Sequence, residues 1–312
     1  MPRRLQSVPN FSEGRREGVV RDIIEAATTP GLKVLDWSSD PDHNRSVVTV
    51  VGEPEAVLAG LRAMTARAVS LIDLRTHRGS HPRMGAMDVV PLIPLLEMTM
   101  DEAVALADRL ARELAAAHDL PVYLYGEAAT RPAHRDLSRV REGQFEGLAA
   151  VIGRPERRPD YGPARLHPTA GATAVGARGP LVAFNVNLST PDVAVAKRIA
   201  RQIRESGGGL PAVRAIGLAL AGRDETQVSM NLVDFRRTSL GVAYRAVAEA
   251  AAAAGVGVTS SEIVGLAPAE ALLAEAAGAL RLAGFSSGQV LELRLLEEDE
   301  APAGLEEGSR PR

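Results

Sequence analysis

Short apolar runs and longer amphipathic ones alternate along the chain, and their order predicts its elements. Apolar runs predict strands at Leu5–Val8, Leu32–Trp37, Ser46–Val51, Met87–Leu95 and Val122–Tyr125. Between them, helical periodicity covers Arg15–Ala27, which stops before Pro30-Gly31. A second helix runs from Pro54, where proline suits the first turn, to Ile72. A third spans Met100–His118, with Asp101 and Glu102 at its positive end.

The pattern then restarts. Leu181–Leu188 reads as a strand and Pro191–Glu205 as a helix, with Thr190 the candidate N-cap and Gly207–Gly209 the stop. Strands Val213–Ala219 and Thr226–Leu232 flank the turn AGRDE. Helix Ser239–Ala254, strand Val256–Ile263 and helix Pro268–Leu282 follow.

Both halves thus read strand–helix–strand–strand–helix–strand, the split βαβ or ferredoxin-like order. The expected fold is α+β: two ferredoxin-like subdomains, each an antiparallel sheet with helices on one face, their sheets facing a substrate groove. The expected division is 1–178 and 179–296, with 297–312 a disordered acidic tail. The Gly/Pro/Arg-rich stretch Gly153–Arg178 carries no clear element. At that length it reads as a functional loop rather than a plain linker.

Composition narrows the function. Lys+Arg and Asp+Glu number 36 and 39, a formal net charge of −3, so no basic field invites nucleic acid or an anionic membrane. There is no cysteine, which excludes disulfides, thiolate nucleophiles and zinc–cysteine or iron–sulfur sites. No window approaches the ~18 apolar residues of a membrane span. The N-terminus lacks a secretory h-region, so a cytoplasmic protein is expected. Lysine occurs only at Lys33 and Lys197; arginine suits bidentate binding of carboxylates.

P-loop, dinucleotide-binding and nucleophile-elbow motifs are absent. The densest polar cluster is HRGSHPRMGAMD at His77–Asp88. His77 and His81 have metal-ligand spacing only on a helix, which Gly79 and Pro82 oppose. The cluster reads instead as a loop feeding a strand, with Pro82 pushing His81 toward extended backbone and Gly85 allowing a turn or close approach. An imidazole there, ordinarily near pKa ~6.5, is a candidate general base; the bland alternative is a solvated surface histidine. His43 reads as a surface-turn residue and His134 as part of a polar loop. Asn10 and Ser12 read as caps for the helix containing Arg15. Glu127 is either a carboxylate displayed at a strand end or a helix-start charge.

At these residues the chain resembles the formiminotransferase family, the transferase part of formiminotransferase–cyclodeaminase. The matching stretches include VPNFSEG at Val8–Gly14, HPRMGAMD at His81–Asp88, VYLYGEAA at Val122–Ala129, GATAVGAR at Gly171–Arg178, FNVNL at Phe184–Leu188 and the run at Gln227–Phe235. The resemblance implies two ferredoxin-like subdomains, a homodimer and tetrahydrofolate as co-substrate, with no metal. It implies that His81 is the catalytic base. It also implies that Gly162, Pro163, Ala164, Arg165, Leu166, His167, Pro168, Thr169, Ala170 and Gly171 contact folate. Asn44, Arg45, Arg83, Asp88 and Glu127 are the expected substrate-binding residues.

Arg83, on the same face of an extended segment as His81, is expected to bind a substrate carboxylate. Asp88 either orients His81, balances Arg83 or is structural. Mammalian members carry an acid at the position of Ser38; its role would pass to Asp40 or Asp42, or be absent. No cyclodeaminase part is recognisable, so a separate cyclodeaminase is a possible partner. The implied reaction moves a formimino group from N-formimidoyl-L-glutamate to N5 of tetrahydrofolate, one imidazole serving as base and then acid. The competing readings are transfer of a formyl group, consumption of 5-formyltetrahydrofolate, and a non-catalytic folate-binding module.

Overall fold

The computed structural model describes residues 3–79, 81–220, 222–273 and 289. The acidic tail and the expected helix beyond Leu273 lie outside the described residues. The chain divides into two compact units between Arg178 and Gly179.

The first unit opens with β1 (Leu5–Ser7) and β2 (Asn10–Phe11), two pieces of one strand interrupted at Val8-Pro9. Then follow α1 (Glu17–Glu25), β3 (Leu32–Asp40), β4 (Arg45–Gly52), α2 (Pro54–Leu71) and β5 (Met87–Pro94). β1 and β2 lie antiparallel between β4 and β5, and β3 pairs with β4 at the edge. The order β3–β4–β1/β2–β5 is the ferredoxin-like arrangement expected from the pattern.

The sheet does not end there. After α3 (Met100–His118) and β6 (Val122–Gly126), the chain forms two short helices, α4 (Leu137–Val140) and α5 (Gln144–Val151). It then inserts β7 (Thr173–Ala177) between β5 and β6, parallel to both. Two expectations are corrected here. The sheet is mixed rather than antiparallel, and the stretch read as structureless supplies an interior strand. Its sequence, TAVGA, is too short and too small in side chains to announce itself, yet all five residues are buried.

Packing follows from the alternation of side chains across the strands. One face of the sheet meets α1, α2 and α3 through Ile23, Leu58, Leu61, Leu110, Val50, Val90 and Val175. The other face, at its β5–β7–β6 end, is covered by α4 and α5 through Val140, Leu148, Tyr123, Tyr125 and Ala174. Helix α3 starts on a capping box: Thr99 and Glu102 exchange side-chain-to-backbone bonds.

The second unit holds β8 (Val182–Leu188), α6 (Val193–Ile203), β9 (Val213–Ala219), β10 (Thr226–Leu232), α7 (Leu240–Ala253), β11 (Val258–Val264) and α8 (Ala269–Leu273). Its sheet has the order β11–β8–β10–β9, antiparallel throughout. Val182, Phe184, Val186 and Leu188 alternate onto the helical face, where they pack with α6 and α7. The intervening Asn185 and Asn187 face the other way and bond to Glu262, Ser260 and Gln227. Asp192, not Thr190, caps α6, accepting the Ala194 amide at 2.9 Å.

Candidate active site

The loop between α2 and β5 is irregular but densely tied. Its residue His77 is buried, accepting Arg83 Nε–H at Nδ1 (3.1 Å). The ring is therefore the Nε2–H tautomer, and Nε2 donates to the Asn44 carbonyl at 2.8 Å. Asp88 Oδ1 accepts the amides of Met84 (2.7 Å) and Gly85 (3.1 Å), closing the turn that follows Pro82. Ser12 donates its hydroxyl to the Gly85 carbonyl at 2.7 Å.

This loop is stitched to the turn at 167–171, the end of the stretch expected to contact folate. Ala86 N donates to Ala170 O (2.8 Å), Ala172 N to Met84 O (2.9 Å) and Leu74 N to Thr169 O (2.8 Å). Close approach requires glycine on both sides. A Cβ on Gly85 would lie 1.9 Å from Ala172 O; one on Gly171, whose φ is +70°, would lie 2.2 Å from Met84 O. Two stretches some eighty residues apart in sequence thus form one structure.

His81 stands on this frame, half-buried and in a bend, outside any helix. Its Nδ1 is buried with no hydrogen-bond partner among the described residues. Its ring stands edge-on to His43, centroids 5.8 Å apart at 70°. Burial, then the positive charges of Arg45 and Arg141, then His43, push its pKa down to about 2. The ordinary imidazole expected from sequence is therefore corrected: this ring is neutral near neutral pH and, with no anion beside it, only weakly basic.

The expected substrate-binding residues divide. Arg83 does not present an open fork to a ligand: it is buried and bidentate to Glu146, at 2.8 and 2.7 Å. It holds that carboxylate down to about 2. Asp88 neither touches His81 nor balances Arg83; its Oδ2 takes Arg141 Nη2 at 2.5 Å. Asn44, at φ +50°, is a strut whose side chain accepts Gly14 N (3.0 Å) and donates to Arg78 O (3.0 Å). Arg45, first in β4, bonds to Asn10 and lies close enough to His81 to shift it. Glu127 is exposed just past the end of β6.

Within the expected folate stretch, His167 and Gly171 exchange backbone bonds, and His167 Nδ1 accepts the Ala170 amide at 3.0 Å. Arg165 is exposed and pairs with Asp119. Gly162, Ala164 and Pro168 are exposed; Pro163, Leu166 and Thr169 are half-buried.

Sequence reasoning overlooked three contributors, Arg141, Glu146 and Glu13. Arg141 and Glu146 belong to α4–α5, which carried no motif. Glu13, buried, accepts the Arg15 and Arg16 amides at 2.9 Å each, the task expected of Asn10 and Ser12. Burial works against its charge, but these amides and Arg16 hold its pKa below the ordinary value. Asp40 accepts the Asp42 and His43 amides at 2.9 and 2.8 Å and places Oδ2 2.8 Å from His43 Nδ1, so that turn is organised rather than merely solvated. His134, expected in a polar loop, is buried beside Tyr123. Among the described residues no group of three or more His, Asp or Glu could hold a metal, and no helix is long and apolar enough to cross a membrane.

Comparison with known proteins identifies the family. Residues 4–178 match the formiminotransferase domain, N-terminal subdomain, and residues 183–282 match the formiminotransferase domain. The chain is 43% identical over 298 residues to a glutamate formimidoyltransferase of Streptococcus pyogenes serotype M1, covering 95% of this chain and 100% of the relative. It is 42% identical over 300 residues to one of Thermoplasma acidophilum, covering 93% and 97%. Against the formimidoyltransferase-cyclodeaminase of Rattus norvegicus it is 43% identical over 285 residues, 89% of this chain and 52% of that one. With both subdomains matched in order, the chain belongs to the formiminotransferase family.

Proposed function

We propose that this chain is a glutamate formimidoyltransferase. It moves the formimino group from N-formimidoyl-L-glutamate to N5 of tetrahydrofolate, a step of histidine degradation that feeds one-carbon metabolism. The observation that carries the reading is a neutral imidazole, His81, flanked by Arg45 and Arg141 and built onto the same frame as the 167–171 turn.

N5 attacks the amidine-like carbon of the donor and must lose its proton as the bond forms. His81, unprotonated, accepts it. Both substrates bring carboxylates. Bound beside Arg45 and Arg141, such anions offset the positive field that depresses His81, so its basicity rises when substrate is present. Orientation of the two substrates by the stitched loops supplies a further share of the rate. A homodimer in the cytoplasm, with a separate cyclodeaminase consuming the product, belongs to the same reading and rests on the family resemblance.

The test is turnover. Wild type should consume formiminoglutamate and not a formyl donor. His81→Ala should lower kcat about 10²–10⁴-fold while binding of a reduced-folate analogue survives. Unchanged kcat in that variant would place the base elsewhere.

A further inference from the structure

Two imidazoles, rather than one, stand at the centre of the cluster. His43 occupies the turn between β3 and β4. Its backbone amide donates to Asp40 Oδ1 at 2.8 Å, as does that of Asp42 at 2.9 Å, while its ring Nδ1 meets Asp40 Oδ2 at 2.8 Å. One carboxylate thus sets both the turn and the ring. With Nδ1 facing Asp40 Oδ2, Nε2 is the ring's outward end; no hydrogen bond of Nε2 occurs among the described residues. The turn is held against the His81 loop by close backbone contact: a Cβ on Gly79 would lie 2.2 Å from His43 O. The charged groups around the two rings are Asp40 and Asp42 on the turn, Arg15, whose Nε donates to Pro41 O at 2.7 Å, Arg45 on β4, and Arg141 paired with Asp88.

We infer that His43, braced by Asp40, is a second catalytic residue: the acid that protonates the departing glutamate nitrogen, while His81 is the base that takes the N5 proton. This rests on the formimino-transfer reading above. The two rings sit in opposite electrostatic settings. A cation on His81 faces two guanidinium groups, so that ring is ill suited to hold a proton through the life of the adduct. A carboxylate on Nδ1 fixes tautomer and orientation and stabilises a transient imidazolium.

The step balances without any further reactant. N5 attacks the formimino carbon, the N5–C bond forms, and the N5 proton passes to His81, which hands it through a single intervening water to Nε2 of His43; the two ring centroids are 5.8 Å apart. The adduct then collapses: the C–N bond to glutamate breaks, its electron pair stays on that nitrogen, and the proton just received by His43 goes to it. One proton has been taken and one given, and both imidazoles end neutral, as they began.

The experiment uses two variants of the full chain. His43→Gln keeps a donor for Asp40 but cannot carry a proton, so kcat with formiminoglutamate should fall about 10²–10⁴-fold with both KM values unchanged. His43→Ala should fall similarly, and added imidazole should restore part of kcat, a response that a purely structural residue would not give. Asp40→Asn should lower kcat less. Circular dichroism on each variant checks that the fold stands. Wild-type-like kcat in His43→Gln, or loss in His43→Ala that imidazole does not restore, overturns the inference and leaves the transferase reading intact. Failure of the wild type itself to use formiminoglutamate overturns both.

Discussion

Replacing Asp88 separates a strut from a ligand-binding carboxylate. The side chain is 3% exposed. One oxygen holds the Met84 and Gly85 amides, and the other holds Arg141, whose side chain is 15% exposed. In Asp88→Asn an oxygen still accepts the amides, but Arg141 loses its counter-charge. Removing one partner of a buried pair costs about 3–5 kcal/mol; the partial exposure of Arg141 puts the expected loss near the lower end, about 3 kcal/mol. Asp88→Ala also strips two amides, at about 1–3 kcal/mol each and not additively, so about 4–6 kcal/mol is expected. Domains are typically stable by about 5–15 kcal/mol, so either variant is a severe perturbation. The assay is built into the chain. Trp37, the single tryptophan, lies on β3 in the same sheet, so its fluorescence in urea follows this unit alone. The urea midpoint should drop in both variants, more in Asp88→Ala, and kcat should drop with it as the turn after Pro82 loosens. An unchanged midpoint in Asp88→Asn, with a raised KM for the donor, would refute this account and return Asp88 to substrate binding.

Two further outcomes are expected. His81 is depressed in the folded chain to about 2 but titrates near 6.5 when unfolded, so between those values the unfolded chain binds more protons. Stability must therefore fall as pH falls through that window, by up to about 1.4 kcal/mol per pH unit. His81→Gln should flatten this loss, measured as urea midpoints at neutral and mildly acid pH; an unflattened loss would mean that His81 is not depressed. Gly171→Ala places a Cβ 2.2 Å from Met84 O at a φ of +70°, which costs about 1–2 kcal/mol in backbone strain alone. It should part the two stitched loops and weaken reduced-folate binding; calorimetric affinity equal to wild type would show that the turn does not serve the folate site.

How far the sequence revealed all this depends on the range of the interactions involved. The second unit's strand order was readable because Val182, Phe184 and Val186 alternate with Ala183, Asn185 and Asn187, a local pattern with a single physical cause. The site loop was readable for a similar reason: Pro82 and Gly85 constrain their own backbone. β7 was not, because five small residues become a strand only when β5 and β6 offer edges on both sides. The region 131–158 looked polar because it is rich in arginine, yet several of those arginines serve the chain itself. Arg157 donates to the carbonyls of Arg139, Val140 and Glu142, and it shields a segment in which His134 is buried.

The roles of the site arginines were hidden by the same non-locality. Arg83 stands two residues from His81 and invites a substrate, but its carboxylate partner, Glu146, is 63 residues away. Arg141 is 53 residues from Asp88, and Arg45 is 35 from Asn10. Local chemistry marks which side chains can bind a carboxylate; only the folded chain decides which of them already has one. The same holds for His81. Its identity as an imidazole is written at position 81, whereas the sign of its pKa shift is set by burial and by two cations from β4 and the end of α4. A base located by motif alone would have been assigned the wrong protonation behaviour, and the need for a second proton carrier beside it would not have arisen.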